Sequence, residues 1–226
     1  MKKYFYASLM LLTSFYTTHS FNEITPTYPL TPENVTEEIV DLYKEAANSD
    51  YIGEAISQLD HASQAGLQAV LAFDKSTGID EDNIIAAFLH DVGHRYTGSD
   101  VKYMDTFGIK NHDKIGAAFL KARGFSDKVV TLVGGHVEAK RYKVYKNKAY
   151  HDKLTFASQQ TLTFQGGAMT KEEADAFEQT PYAEQVVLLR TWEEQAKAPH
   201  TKTPSLSYFA SLILEHLEKN LAIKRD

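Results

Sequence analysis

The residues with the strongest chemical potential lie together in Leu89-His90-Asp91-Val92-Gly93-His94, at the end of an apolar run that begins near Ile84. Burying a histidine-aspartate pair in such a run costs on the order of several kcal/mol unless a metal or partner compensates it. On a helix His90 and Asp91 project about 100° apart, and His94 falls one turn beyond His90 on the same face. A carboxylate has two oxygens with which to bridge two cations. Further histidines recur one per segment, at His61 in SQLDHASQAG, His112 in KNHDKIGAAFL and His136 in VVTLVGGHVEAKRY. With Glu193 or Glu194 as an additional carboxylate, they form a nitrogen and oxygen donor set for a dinuclear metal site. His19, His151, His200 and His216 lack the helical face, acid partner or apolar frame that would add them to it.

Composition narrows the chemistry further. The 226 residues include nine histidines and no cysteine, which excludes thiol nucleophiles, disulfides, iron–sulfur clusters and cysteine-bound zinc. A net charge of −6 leaves no basic stripe for general binding of nucleic acid or an acidic membrane. A small anion held by a local basic pocket remains open. Hydrophobic residues at 43% and charged residues at 24% suit one sizeable globular core.

The elements that must position these residues read as helices. Apolar spacing of the type Val35, Ile39, Leu42, Ala46 runs almost throughout, and period-2 alternation is nearly absent. Thr31-Pro32, Thr180-Pro181 and Thr203-Pro204 place a capping hydroxyl before a proline, and Thr170 with Glu173 forms a capping box. The predicted helices are 33–48, 53–74, 81–94, 111–123, 127–142, 155–163, 170–177, 181–196 and 204–220, an all-α class. Residues 1–20 follow the charged, apolar, small-residue order of a signal peptide or form an N-terminal extension. Pro26, Pro29 and Pro32 mark 21–32 as an extended linker, which leaves 33–226 as a single domain.

The order His, His-Asp, His, His, acid, centred on LHDVGH, resembles the HD-domain superfamily of all-α metalloproteins. Within it DYIGEAISQLDHASQAG, AAFLHDVGH, GGHVEAKRY, SQQTLTFQGGAMT and LLRTWEEQAK resemble the phosphonate-degrading di-iron oxygenase branch, 2-amino-1-hydroxyethylphosphonate dioxygenase-like and related to myo-inositol oxygenase. The resemblance runs from about Val35 to Pro199. It implies an HD-type helical bundle with a di-metal site in its core, two iron ions in the mixed-valent Fe(II)/Fe(III) state, and O₂ as co-substrate. The implied reaction is cleavage of the carbon–phosphorus bond of a 1-hydroxyphosphonate, with (R)-2-amino-1-hydroxyethylphosphonate yielding glycine and phosphate.

The same resemblance assigns roles. One iron takes His61, His90, Asp91 and Glu193; the second takes His112, His136 and the other oxygen of Asp91. Tyr51 caps an iron before substrate arrives, and Glu54 pairs with the substrate ammonium. Lys140, Ser158, Thr161, Arg190 and His94 hold the phosphonate, a dianion that favours charge-assisted donors and turnable hydroxyls. The catalytic group is thus Tyr51, Glu54, His94 and Lys140. One departure stands out: the family carries Asp where this chain has Glu193, whose extra methylene adds about 1.5 Å of reach. The implied partner is a small-molecule phosphonate, with no nucleic acid and no stable membrane partner. Localisation is in conflict, since a signal peptide implies export and the family implies the cytoplasm. An HD-type metal-dependent phosphohydrolase and a non-catalytic phosphonate-binding relative are the alternatives.

Overall fold

A computed structural model describes residues 21–51 and 53–223; the signal-like segment 1–20 lies outside the described residues. Among the described residues there are ten α-helices: α1 Pro32–Ala46, α2 Gln58–Leu71, α3 Glu81–Leu89, α4 His112–Ala122, α5 Asp127–Lys146, α6 Lys148–His151, α7 Phe156–Phe164, α8 Lys171–Glu178, α9 Ala183–Gln195 and α10 Leu206–Ile223. Short 3-10 turns occupy Lys75–Thr77 and Val92–Arg95. No strand forms among the described residues, only isolated bridges such as Phe21 with Tyr96. No described helix is long and apolar enough to cross a membrane.

Several caps fall where the sequence places them. Thr31 accepts from the Asn34 amide with Pro32 inside the first turn, and Thr170 and Glu173 close a capping box on α8. Another box, Ser57 with Asp60, starts α2 at Gln58. Tyr51 and Glu54 therefore stand in the preceding turn, outside the helix expected from residue 53. Thr180 does not cap α9: its hydroxyl donates to the Phe177 carbonyl at 2.7 Å, and the helix starts after Tyr182, which has φ 61°.

The most consequential difference lies in the predicted helix 81–94. α3 ends at Leu89, with His90 as its C-cap and Asp91 (φ −98°, ψ 10°) turning the chain into Val92–Arg95. His90 and Asp91 thus stand at a helix end, and His94 leaves the helical face expected for it. Packing is the physical reason. Gly93 lies so close to the start of α4 that a Cβ there would come within 1.9 Å of the His112 carbonyl oxygen.

α3 is the axis of the core. Ile84 through Leu89 are each no more than 3% exposed, and the helix packs against α2, α5, α9 and α10. A helix apolar all round belongs in the interior, where burying each large side chain contributes about 1.5–3 kcal/mol. α5 crosses α4 and α9, and α2 packs against α3 and α9, so the ligand-bearing segments converge on the C-terminal end of α3.

Residues 21–31 carry bends and no regular element, and they dock against the bundle. Phe21 is 6% exposed, and its ring lies 4.1 Å from Phe119 and 5.4 Å from Tyr96. Its amide donates to the Arg95 carbonyl at 3.2 Å, and its carbonyl accepts from the Thr97 amide at 2.8 Å. Arg123 then ties the segment down, bonding the Ile24 carbonyl at 2.7 Å and gripping Glu38 at two points. At the other end of the chain, His216 pins α10: Nδ1 donates to Asp82 at 2.9 Å, and Nε2 accepts from the Ser126 amide at 3.1 Å. His216 therefore has the acid partner that its sequence neighbourhood did not reveal.

Candidate metal centre

Four buried imidazoles come together from four segments. His61 rises from α2, His90 caps α3, His112 opens α4 and His136 lies within α5. Each turns Nδ1 to a backbone carbonyl: His61 to Ala196 at 2.8 Å, His90 to Ala87 at 2.8 Å, His112 to Ile109 at 3.1 Å and His136 to Val133 at 2.7 Å. A carbonyl only accepts, so the proton sits on Nδ1 and Nε2 presents a lone pair. Those Nε2 atoms meet in two pairs, His61 with His90 at 3.1 Å and His112 with His136 at 3.0 Å. Asp91 stands between the pairs. Its Oδ2 is 3.3 Å from His90 and 3.6 Å from His61; its Oδ1 is 3.5 Å from His112 and 3.7 Å from His136.

Two lone pairs at this distance repel unless a proton or a metal stands between them. At the first pair a proton can serve. Burial pulls His90 down, but the Asp91 charge and hydrogen bond outweigh it and raise the imidazole to about 9. Burial and then the charge on His90 take His61 down to about 4. The second pair has no such proton, because burial chiefly holds both His112 and His136 below the usual value. A metal resolves both contacts. Two nitrogens each about 2.1 Å from one cation, at a right angle, are about 3.0 Å apart. Imidazole and carboxylate donors without thiolate suit divalent first-row metals, and the residues present therefore fit a metal pair.

Glu193, on α9, is a second buried carboxylate lining the same cavity as His61, Asp91, His112 and His136. It is 6% exposed; Oε1 accepts from Arg190 Nη1, and Oε2 is buried with no hydrogen-bond partner among the described residues. Burial opposes its charge, but Arg190, then His136 and His90, hold the carboxyl well below the usual range. Glu194, the other candidate, turns outward to Lys143 at 3.1 Å. His94 lies near enough to Asp91 and His112 to complete a three-donor group. Its tautomer argues against ligation, however, because Nδ1 accepts from the Ile109 amide at 3.2 Å and leaves the proton on Nε2. The His94 ring is stacked 3.9 Å from that of His112, and the residue lines the cavity.

The raised pKa of His90 has a measurable consequence. A metal at the first pair must displace its proton, so the apparent affinity should fall about tenfold per pH unit below pH 9. Metal titrations of the apoprotein between pH 6 and 9, with proton release recorded, would show this. A pH-independent affinity would rule out displacement of that proton.

A cavity of about 250 Å³ opens beside the donors, lined among others by Tyr51, His94, Lys140, Ser158, Thr161 and Arg190. Lys140 is 3% exposed and donates to the Thr161 hydroxyl at 2.9 Å, while Thr161 donates to the Ser158 carbonyl at 3.1 Å. Burial, then the Arg190 charge, pull the Lys140 ammonium down to about 7, so an arriving anion would restore its full charge. The Tyr51 ring lies on His61 at 3.8 Å, and burial keeps its hydroxyl protonated. Glu54 is already engaged: its carboxylate is 3.0 Å from Lys197 Nζ, which also donates to Thr155 at 3.1 Å. Lys197 lines the cavity and was not identified from the sequence, where it follows the end of the helix that carries Glu193 and has no motif of its own.

Comparison with known proteins follows the same outline. The HD domain model matches residues 59–186, a span that holds the four paired histidines and Asp91 and stops short of Glu193. The chain is 37% identical over 183 residues to an uncharacterised protein of Acanthamoeba polyphaga mimivirus, covering 80% of this chain and 81% of that protein. It is 34% identical over 190 residues to a hydroxymethylphosphonate dioxygenase of Gimesia maris, covering 83% and 90%. It is 29% identical over 188 residues to a glycine-betaine-forming 1-hydroxy-2-(trimethylamino)ethylphosphonate dioxygenase of Leisingera caerulea, covering 83% and 93%.

Proposed function

The chain belongs to the HD-domain family, on the branch that includes phosphonate dioxygenases, and from that membership we propose a di-iron, O₂-dependent oxygenase that cleaves the carbon–phosphorus bond of a 1-hydroxyphosphonate. The observation that carries the proposal is the division of Asp91 between two imidazole pairs, one oxygen to each. His61, His90, Asp91 and Glu193 would hold one iron; His112, His136 and Asp91 would hold the other. The iron pair supplies O₂ activation and a Lewis-acidic seat for the substrate oxygens. In the balanced reaction the C–H and C–P bonds break, and carbon and phosphorus each gain one oxygen atom from O₂. The products are a carboxylic acid and phosphate.

The protein's own residues do the binding and orienting. Lys140 and Arg190 supply charge-assisted donors for the phosphonate, and Ser158 and Thr161 offer hydroxyls that turn to donate. His94 presents its Nε2 proton from a ring fixed by stacking and by the Ile109 amide. Tyr51 covers His61 at the cavity wall and helps to keep water from the reacting carbon. With 2-amino-1-hydroxyethylphosphonate, the products would be glycine and phosphate. Its ammonium would have to take the place of Lys197 at Glu54, so the charge on the second carbon is a determinant of specificity.

The decisive experiment reconstitutes the protein anaerobically with ferrous iron, then adds O₂ with 2-amino-1-hydroxyethylphosphonate or hydroxymethylphosphonate and follows phosphate. Phosphate above the iron-free control is expected. Its absence with both compounds would refute the oxygenase, and activity on a phosphate ester under argon with manganese would favour the hydrolase. Lys140→Met is expected to lower kcat/KM about 100-fold, or on the order of 3 kcal/mol, as for other buried charge-paired donors, with metal content unchanged. Steady-state kinetics beside metal analysis would check it.

A further inference from the structure

Glu193 is a long side chain for a metal ligand, with several torsions between its carboxylate and the backbone, and each must be held if one oxygen is to stay in place. Arg190 holds it. Nη1 of Arg190 donates to Glu193 Oε1, which leaves Oε2 as the buried atom without a hydrogen-bond partner among the described residues. Arg190 is itself 2% exposed and is gripped from behind. Its Nε donates to Glu194 Oε1 at 2.8 Å and lies 3.3 Å from the Tyr150 hydroxyl. That hydroxyl in turn donates to Glu194, and the other Glu194 oxygen accepts from Lys143 at 3.1 Å. The two adjacent glutamates thus divide the arginine between them, one facing the imidazole cage and one facing outward.

We propose that Glu194 and Tyr150 are positioning residues of the metal centre: they clamp Arg190, which fixes Glu193 Oε1 and presents Oε2 to the imidazole cage. The inference rests on the metal-centre reading above. Without the clamp, Arg190 is free to follow Glu193, and the glutamate regains the rotamers that its length allows. Arg190 also lines the cavity; Nε and Nη1 each donate to a carboxylate, and Nη2 is the guanidinium nitrogen without a partner among the described residues.

The test compares wild type with Glu194→Gln, Tyr150→Phe and Glu193→Ala, each loaded with ferrous iron and then challenged with a chelator. Tyr150→Phe removes a single oxygen and guards against a folding defect in the charge variant. Wild type should retain two slowly released ions. Glu194→Gln and Tyr150→Phe should release one of them about 10- to 100-fold faster, the usual effect of losing an outer contact to a ligand, with the other ion and the melting temperature of the apoprotein unchanged. Glu193→Ala should lose the same ion, and adding Glu194→Gln to it should change nothing further. Release at the wild-type rate in both Glu194→Gln and Tyr150→Phe would overturn the inference, as would faster loss of both ions together with a lower apoprotein melting temperature. Fewer than two ions in the wild type would instead overturn the metal-centre reading.

Discussion

Asp91→Ala is expected to leave a folded helical protein that binds no metal pair and releases phosphate no faster than the iron-free control. Among the described residues Asp91 is the carboxylate within 4 Å of both imidazole pairs, through Oδ2 at 3.3 Å from His90 and Oδ1 at 3.5 Å from His112. Removing it takes a donor from each position at once, so the loss of affinity should exceed the 10- to 100-fold typical of outer contacts. The fold should tolerate the change, because Asp91 sits at a cavity wall with 19% of its side-chain surface open and the core around α3 is apolar. Asp91→Asn is the informative companion. It keeps the shape and one carbonyl oxygen but loses the charge, and should hold at most one ion. Metal analysis and circular dichroism of both variants would check these expectations; a full metal pair in Asp91→Ala would disprove the bridging role.

Gly93→Ala should damage fold and site together. The added Cβ would meet the His112 carbonyl oxygen at 1.9 Å and the Gly116 amide nitrogen at 2.8 Å, backbone atoms that no side-chain rotation can clear. Overpacking usually costs about 1–3 kcal/mol, and a backbone clash belongs at or above the top of that range. About 3 kcal/mol corresponds to a melting temperature lowered by roughly 6–12 °C in a chain of this size. The start of α4 must move away from the turn at Val92–Arg95, taking His112 from the cage and breaking its stacking with His94. The His112–His136 position should therefore lose its ion first. Wild-type melting with full metal content would show that α4 has more room than the packing indicates.

Much of this arrangement is legible in the sequence, because helical periodicity and ligand identity are local properties. The apolar run into His90-Asp91 and the one-per-helix histidines point to a bundle with metal donors at its centre, and the caps at Thr31 and Thr170 fall where expected. The end of α3 is less legible. Nothing in Ile84–Leu89 stops a helix, and the stop comes from the contact of Gly93 with α4. Other features depend on partners far along the chain. Lys197 meets Glu54 across 143 residues and His216 meets Asp82 across 134, and local pattern carries no trace of either. The docking of Phe21 is hidden for a related reason. Proline spacing marks 21–32 as a linker, but says nothing of the pocket between Tyr96 and Phe119 that receives the Phe21 ring.

The absence of thiolate from the donor set bears on how the protein is supplied with metal. For imidazole and carboxylate ligands, affinity rises from ferrous ion through nickel to copper, with zinc also above iron. The four Nδ1 contacts to backbone carbonyls pre-orient the imidazoles, so little refolding stands in the way of a wrong ion. Overproduced protein should therefore carry whichever divalent metal the host or the purification offers in excess. With iron as the proposed resident metal, a zinc-filled, inert preparation would be recoverable by stripping the ion and reloading with iron under argon.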